Sequence, residues 1–178
     1  MSANEKCQIL TEVQESRVVI AHIRGEIENF NDFSEFFEVI PELKEEDRLL
    51  VNINSAGGRC DIGFALCDTV LACQCPVMVH VSYPTYSMGA ILALCGDVLV
   101  LHADTFLMFH DYNSGPQGKG QEIISHSENY RKVFKSKFKR LCKPFLTAAE
   151  CSRMFKGEDI YIQHDDPTLK QRYKRHFR

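Results

Sequence analysis

Residues 49–73 of this 178-residue chain read LLVNINSAGGRCDIGFALCDTVLAC. The apolar start of this segment, Leu49–Ile53, predicts a buried strand. It is followed by the small, polar and glycine residues 54–58, which predict a flexible turn. Beyond the turn, apolar residues recur at helical spacing to the end of the segment, with Asp61 as the predicted N-cap. The segment is therefore predicted to fold as strand, turn and helix.

The same alternation of strands and helices continues on both sides of this segment. Further strands are predicted by short apolar runs at Arg17–Ile23, Val77–Val81, Val98–Leu101 and Phe106–Phe109. Further helices are predicted by apolar residues at helical spacing at Phe33–Ile40 and Ser87–Leu94. Strands that alternate with helices in this rhythm form βαβ crossovers, so the predicted fold class is α/β with a mostly parallel sheet.

The last third of the chain is predicted to hold a long helix that projects from the domain. Residues 121–142 carry a sparse apolar stripe and a basic opposite face, which favours burial of the stripe against a neighbouring copy. A shorter helix is predicted for Thr147–Phe155. The predicted domain spans residues 17–162 and follows a short N-terminal segment, residues 1–16. Residues 163–178 form a basic tail that we expect to be disordered.

The composition is that of an ordinary globular domain. Hydrophobic residues make up 44% and charged residues 25% of the sequence, and no apolar run is long enough to cross a bilayer. The N-terminus lacks the apolar run of a secretory signal, so we expect a cytoplasmic protein. The eight cysteines do not have metal-site spacing. We therefore expect reduced thiols that act as small hydrophobic residues, with no metal site and no cofactor.

Basic residues are concentrated near the end of the chain, at 131–143 and again at 170–178. The simplest interpretation is a solvated helix face followed by a solvated tail. A surface that binds nucleic acid or an acidic protein is the alternative, but the net charge of −3 does not favour it. We therefore expect neither a nucleic-acid partner nor a membrane partner.

Three features of the sequence are candidates for chemistry. Ser87 stands where a turn becomes a helix, and it is either an ordinary N-cap or a nucleophile beside free helix amides. His110 ends a strand, and it is either a half-exposed surface histidine or a general base that faces a cleft. The pair Gly57 and Gly58 is either a plain turn or a source of backbone amides for a negatively charged oxygen.

The order of these features resembles the ClpP family, the proteolytic subunits of Clp proteases. The resemblance rests on three motifs, which are Asn54-Ser55-Ala56-Gly57-Gly58 after a strand, Ser87-Met88-Gly89-Ala90 at the start of a helix, and Phe109-His110 at a strand end. It covers about residues 17–162. The fold that it implies is a spiral of ββα units, as in ClpP and crotonase, with a protruding handle helix at about 121–142.

The resemblance also implies an activity and a set of site residues. The implied catalytic residues are the nucleophile Ser87, the general base His110 and the third triad member Asp159. Asp165 is the alternative for the third position. The amides of Gly57 and Met88 would form the oxyanion hole, and Gly58 would help bind an extended peptide. The implied protein is a serine endopeptidase that cleaves peptides or unfolded proteins through an acyl-enzyme, inside a ring of identical subunits.

Several residues depart from the family pattern. Ala56 stands where the family has proline, and Glu158 stands where the family commonly has a basic residue that helps lock two rings together. The strand at 49–53 lacks the aromatic residues that help form the docking pocket for a Clp-type ATPase, which counts against such a partner. These departures resemble phage-encoded relatives. A catalytically impaired scaffold and a crotonase-like acyl-CoA enzyme are the alternative functions.

Overall fold

The structure is a computed structural model and describes residues 16–115 and 117–177. Its strands are β1 (Val18–Ile27), β2 (Arg48–Gly58), β3 (Val77–Val81), β4 (Thr85–Tyr86), β5 (Val98–Leu101), β6 (Phe106–Phe109) and β7 (Ile160–Gln163). Its α-helices are α1 (Ser34–Val39), α2 (Cys60–Ala72), α3 (Ser87–Ala93), α4 (Gly120–Cys142), α5 (Ala148–Met154) and α6 (Leu169–His176). Two 3₁₀ turns, Phe30–Phe33 and Ile40–Glu42, flank α1.

The strands form two sheets. One is a parallel sheet in the order β1-β2-β3-β5, and the other is a mixed sheet in the order β4-β6-β7. In the second sheet, β4 and β6 are parallel, whereas β6 and β7 are antiparallel. Helix α3 packs on β2 and against α2, and Val51, Leu66 and Leu92 are at most 1% exposed in this core. The predicted α/β class with a mostly parallel sheet is confirmed.

Strand β2 continues through the glycine-rich segment at 54–58, so the prediction of a flexible turn there is wrong. Glu26 pairs with Gly57 and Ile27 pairs with Gly58, which makes the segment part of the β1–β2 ladder. Gly25, two residues beyond the predicted end of the first strand, lies in a β-bulge of β1 with a φ of 71°. Pairing with a distant strand decides the conformation here, and the residue types alone do not reveal that pairing.

Helix α2 begins two residues earlier than predicted. Its N-cap is Arg59, and Asp61 lies in the first turn instead. The Asp61 carboxylate accepts hydrogen bonds from Nε and Nη2 of Arg59 at 3.1 and 2.6 Å. A carboxylate in the first turn is also stabilised by the helix dipole. The acidic residue therefore helps to start this helix, but as the partner of the preceding arginine.

Helix α4 is buried in its C-terminal half and exposed in its N-terminal half. Phe134, Phe138 and Leu141 are at most 5% exposed and belong to the core of this subunit. The ring of Phe134 lies 5.9 Å from that of Phe64 on α2. The prediction that the stripe packs on a neighbouring copy is therefore wrong for this half. In the N-terminal half most side chains are exposed, and Ile124 is 53% exposed.

The C-terminal residues form a packed helix, so the expected disordered tail is wrong for residues 169–176. Arg172 on α6 is only 6% exposed. Its guanidinium donates to the two carboxylate oxygens of Glu150 at 2.7 and 3.0 Å and to the carbonyl of Phe145 at 3.0 Å. Charge-assisted bonds of this kind are strong, and they fasten α6 to α5. The packed part of the chain therefore extends beyond the predicted boundary at residue 162.

The cysteines of the described residues are free thiols, and most of them are buried. Cys7 and most of the predicted N-terminal segment lie outside the described residues. Within 16–115 and 117–177, no three histidine, cysteine or acidic side chains are grouped so that they could hold a metal ion. None of the helices described is both long enough and apolar enough to span a membrane.

Candidate active site

Two neighbouring strand ends bring Ser87 and His110 to the same cleft. Ser87 follows β4 and His110 follows β6, and these two strands pair in parallel. Because parallel strands end at the same edge of a sheet, residues just beyond their ends lie close together. Both residues line a cleft of about 610 Å³, together with Gly57 and Gly58 of β2. The structure thus gathers four of the predicted site residues around one cleft.

Ser87 has a strained backbone at the turn from strand to helix. Its φ is 54°, in the left-handed region that residues other than glycine seldom adopt. The N-cap of α3 is Tyr86, and it has no side-chain cap hydrogen bond, so Ser87 is not an ordinary capping serine. Strain of this kind persists only where the surrounding structure holds it, and it is concentrated at functional sites. A sharp strand-to-helix turn of this type presents a serine hydroxyl at the edge of a sheet.

Gly57 approaches the Ser87 turn more closely than a residue with a side chain could. A Cβ atom at Gly57 would lie 2.6 Å from Cβ of Ser87 and 2.9 Å from the backbone nitrogen of Met88. Met88 is 1% exposed, and its N–H belongs to the first turn of α3, where amides have no partner within the helix. The backbone of β2 therefore lies directly beside one of the two amides predicted for the oxyanion hole.

The amide of Gly57 itself already has a partner. Its N–H donates to Oγ of Ser55 at 3.0 Å, and the Ser55 hydroxyl donates to the carbonyl of Gly25 at 2.6 Å. These two bonds bridge the β-bulge between β1 and β2, where the regular ladder is interrupted. The Gly57 amide, predicted as an oxyanion donor, is therefore not free to hold a negatively charged oxygen in this structure.

The next amide along β2, that of Gly58, is directed to the other side of the strand. The Arg59 N–H donates to the carbonyl of Ile27 on β1 at 2.8 Å, and the Gly57 N–H is directed to β1 through Ser55. Successive amides of an extended strand alternate in direction, so the Gly58 N–H lies away from β1. Because Gly58 lines the cleft, its amide is better placed than that of Gly57 to meet a substrate oxygen.

Strand register places Asp159 next to His110, although no hydrogen bond joins them. In the antiparallel pair of β6 and β7, Phe109 is opposite Ile160, so His110 and Asp159 occupy the next opposed positions. Side chains at opposed positions lie on the same face of a sheet. Asp159 is nevertheless exposed and does not line the cleft. Among the described residues, Ser87, His110 and Asp159 are not connected by hydrogen bonds.

Two other carboxylates near these residues in the sequence are placed elsewhere. Asp111 accepts hydrogen bonds from the Tyr112 amide and from Arg131 of α4, each at 3.1 Å. Asp165, the alternative third residue, lies beyond the far end of β7, where Gln163 pairs with the first residue of β6. His110 is at the other end of β6. Asp165 is therefore at the wrong end of the sheet to meet this histidine.

Charged and aromatic side chains that the sequence did not single out also line the cleft. They are the carboxylates of Glu26, Glu28 and Asp61, the guanidinium of Arg59, and the rings of Tyr112 and Tyr130. These residues come from the end of β1 and the residue after it, the region where α2 begins, the loop after β6 and the middle of α4. Because they are scattered along the chain, no local spacing pattern in the sequence could have revealed that they share a surface.

The ionisable groups in these walls divide into charged and neutral ones. The hydrogen bond from Arg59 is the largest effect on the pKa of Asp61 and lowers it, so this carboxyl stays ionised. Burial raises the pKa of the Cys60 thiol and that of the Tyr130 hydroxyl, so both stay neutral near pH 7. Apart from His110, the charge of the cleft walls is therefore that of the carboxylates and of Arg59.

Comparison with known families agrees with this arrangement. Residues 2–146 match the sequence model of the family described as Clp protease. The match runs from the N-terminal segment into the loop after α4, and it includes Ser87, His110 and the glycine pair. It ends before Asp159. The chain therefore belongs to the Clp protease family, and its general function is that of a peptidase. The resemblance inferred from the sequence motifs is confirmed.

Proposed function

We propose that this protein is a serine endopeptidase with Ser87 as its nucleophile. The observation that carries the proposal is the Ser87 turn, with its φ of 54° and its contact with Gly57 beside the Met88 amide. His110 lines the same cleft and is the proposed general base. A serine, a histidine and free amides around one cleft support acyl-transfer chemistry. Membership of the Clp protease family makes a peptide bond the expected target.

The proposed reaction has two stages. His110 removes the proton of the Ser87 hydroxyl while Oγ attacks the peptide carbonyl carbon. The C–N bond then breaks as His110 returns the proton to the leaving amine. Water, activated by His110, then hydrolyses the acyl-enzyme and frees the second product. The amides of Met88 and Gly58 are the proposed donors to the oxyanion, and one such donor is typically worth about 100- to 1,000-fold in rate.

Asp159 is the proposed third member of the triad. Its position opposite His110 in the β6–β7 register supports this role. The proposed contact with the imidazole forms only in the assembled ring. Arg131 on α4 offers a link to such an assembly, since it binds Asp111, the immediate neighbour of His110, at 3.1 Å. Packing of α4 against another subunit would therefore act on the segment that carries the histidine. Peptides or unfolded proteins are the proposed substrates.

A fluorophosphonate probe tests the nucleophile directly, since it reacts with activated serines. We expect the probe to label Ser87 in the wild-type protein, as mapped by mass spectrometry of its peptides. The His110→Ala variant should lose most of this labelling, because the serine then lacks its base. Ser152→Ala, which alters an exposed serine of α5 outside the cleft, should label like the wild type. Labelling at another serine, or unchanged labelling in His110→Ala, would contradict the proposal.

A catalytically impaired scaffold is the second candidate. One observation favours it, namely that Asp159 is exposed and, among the described residues, has no hydrogen bond to His110. The same probe separates the two candidates, provided that the oligomeric state is measured on the same sample. Labelling of the assembled protein supports the peptidase. An assembled protein that takes up no probe at Ser87 supports the scaffold.

A further inference from the structure

The walls of the cleft carry more negative than positive charge. Its lining includes three carboxylates and one guanidinium. Arg59 binds Asp61 through two hydrogen bonds, so these two charges largely cancel. Glu28 lies near enough to contribute to a raised pKa of Arg59, but less than Asp61 does. Within the described part of the chain, neither Glu26 nor Glu28 forms an ion pair, so the cleft keeps an excess of negative charge beside Ser87.

Aromatic rings line the same cleft as these carboxylates. Tyr112 and Tyr130 both belong to its walls, and their ring centroids are 5.0 Å apart in an edge-to-face arrangement. The long aliphatic stems of lysine and arginine pack on aromatic rings, and their cationic ends are attracted to ring faces. Carboxylates combined with tyrosine rings therefore form a surface that complements a basic side chain in both charge and shape.

We propose that this cleft binds peptides with lysine or arginine next to the bond to be cleaved. Such a residue would place its cationic end near Glu26 and Glu28 and its stem along the tyrosine rings. A peptide with acidic residues at the same positions would be repelled by the two carboxylates. This inference rests on the proposed function, since it takes the cleft beside Ser87 as the peptide site. It adds a substrate class to that function.

Peptide binding to the full-length Ser87→Ala protein tests the inference without any need for catalysis. Two fluorescein-labelled peptides of equal length, which differ only in lysine or glutamate beside the central residue, are titrated and followed by fluorescence anisotropy. We expect the lysine peptide to bind about tenfold more tightly at low ionic strength. The ratio should shrink in high salt, because the Debye length falls to about 3 Å at 1 M.

Charge-neutralising variants identify which residues are responsible. Glu26→Gln combined with Glu28→Gln in the Ser87→Ala protein should reduce the preference to about twofold or less. Both residues are exposed, so the variant should fold normally, as checked by circular dichroism. The matched control is Glu38→Gln, an exposed glutamate on α1 outside the cleft, which should keep the full preference. Equal affinities in the parent protein, or a preference that survives the double variant, would overturn the inference.

The outcome of this test is independent of the outcome of probe labelling. Ser87 labelling without a charge preference would overturn the substrate class and leave the proposed peptidase standing. A charge preference without labelling would support the basic-peptide cleft and count against the proposed catalysis. Failure of both peptides to bind, with Ser87 still labelled, would also overturn the inference, because the cleft would then not recognise extended basic chains.

Discussion

The Ser55 side chain links β1 to β2, two strands that line the cleft. It is 2% exposed, and its hydroxyl connects the Gly57 amide to the Gly25 carbonyl across the β-bulge. Without the hydroxyl, the buried Gly57 amide would be left without its present partner. A buried polar group that loses its partner is destabilising, and the geometry of the glycine pair depends on this one side chain.

The Ser55→Ala variant should lower the free energy of unfolding by about 1–3 kcal/mol, the cost of leaving a buried polar group unpaired. Urea denaturation measures this change. Ser34→Ala is the control, because the Ser34 hydroxyl also donates to a backbone carbonyl, at 3.0 Å, but in an exposed turn. That control should stay within about 0.5 kcal/mol of the wild type. A loss in Ser55→Ala no larger than in the control would mean that the bridge is not a stabilising contact.

Some of the site could be predicted from residue types, and some of it could not. The motifs around Ser87 and His110 indicated residues that the structure does bring to one cleft, although their catalytic roles stay predictions. The direction of the Gly57 amide was not predictable, because it depends on a bulge in a strand about thirty residues earlier in the sequence. That Glu26 and Glu28 line the cleft was likewise not predictable from the sequence, because it depends on the pairing of β1 with β2.

Helix α6 was not predicted, because its sequence is polar. Residues 163–178 are rich in basic side chains, and low hydrophobicity ordinarily predicts a solvated tail. One of these basic residues, Arg172, is buried in the structure, because its guanidinium donates hydrogen bonds to Glu150 and to the Phe145 carbonyl. These partners come from α5 and from the segment just before it. The strands and the longer helices, by contrast, were predictable because their apolar periodicity lies within each segment.

The ion pair between Arg172 of α6 and Glu150 should make the free energy of unfolding depend on pH in the acid range. Burial alone raises the pKa of Glu150, but hydrogen bonds from Arg172 and Thr147 more than offset it and lower the pKa from 4.5 to about 2. The unfolded chain therefore binds more protons than the folded protein in this range. The stability contributed by this carboxylate is present above about pH 4.5 and is lost as the pH falls towards 2.

Chemical denaturation at a series of pH values between 6 and 2 checks this dependence. The wild type should lose stability more steeply below about pH 4.5 than the Glu150→Gln variant, which has no carboxylate to protonate at this position. Glu45→Gln, at an exposed site, should follow the wild-type curve. If the curves of the wild type and Glu150→Gln run parallel, the buried ion pair does not control acid stability.

For the whole molecule, the exposed half of α4 suggests self-association. Ile124 is 53% exposed on this half of the helix, and an apolar side chain of this kind is stabilised when another subunit covers it. The proposed ring also depends on this surface. Light scattering after size exclusion should therefore give the wild type a mass that is a multiple of 20.4 kDa.

The variant Ile124→Asp should shift this mass to smaller species, because it places a charge in the proposed contact. Ser136→Asp adds the same charge at an exposed position nearer the C-terminal end of α4 and should assemble like the wild type. A wild-type protein that elutes as a 20.4 kDa monomer at micromolar concentration would refute the proposed assembly. An Ile124→Asp protein with the wild-type mass would show that this part of α4 is not the contact.

The pairing of β6 with β7 joins Phe109 to Ile160, two residues that lie far apart along the chain. During translation the N-terminal part of a protein leaves the ribosome and folds first. Ser87 and His110 are therefore synthesised well before the segment that carries Asp159. Asp159 is the last member of the proposed triad to be synthesised, so a chain that ends before β7 lacks one of the three proposed side chains. The proposed active site is therefore complete only after β7 has been synthesised and has paired with β6.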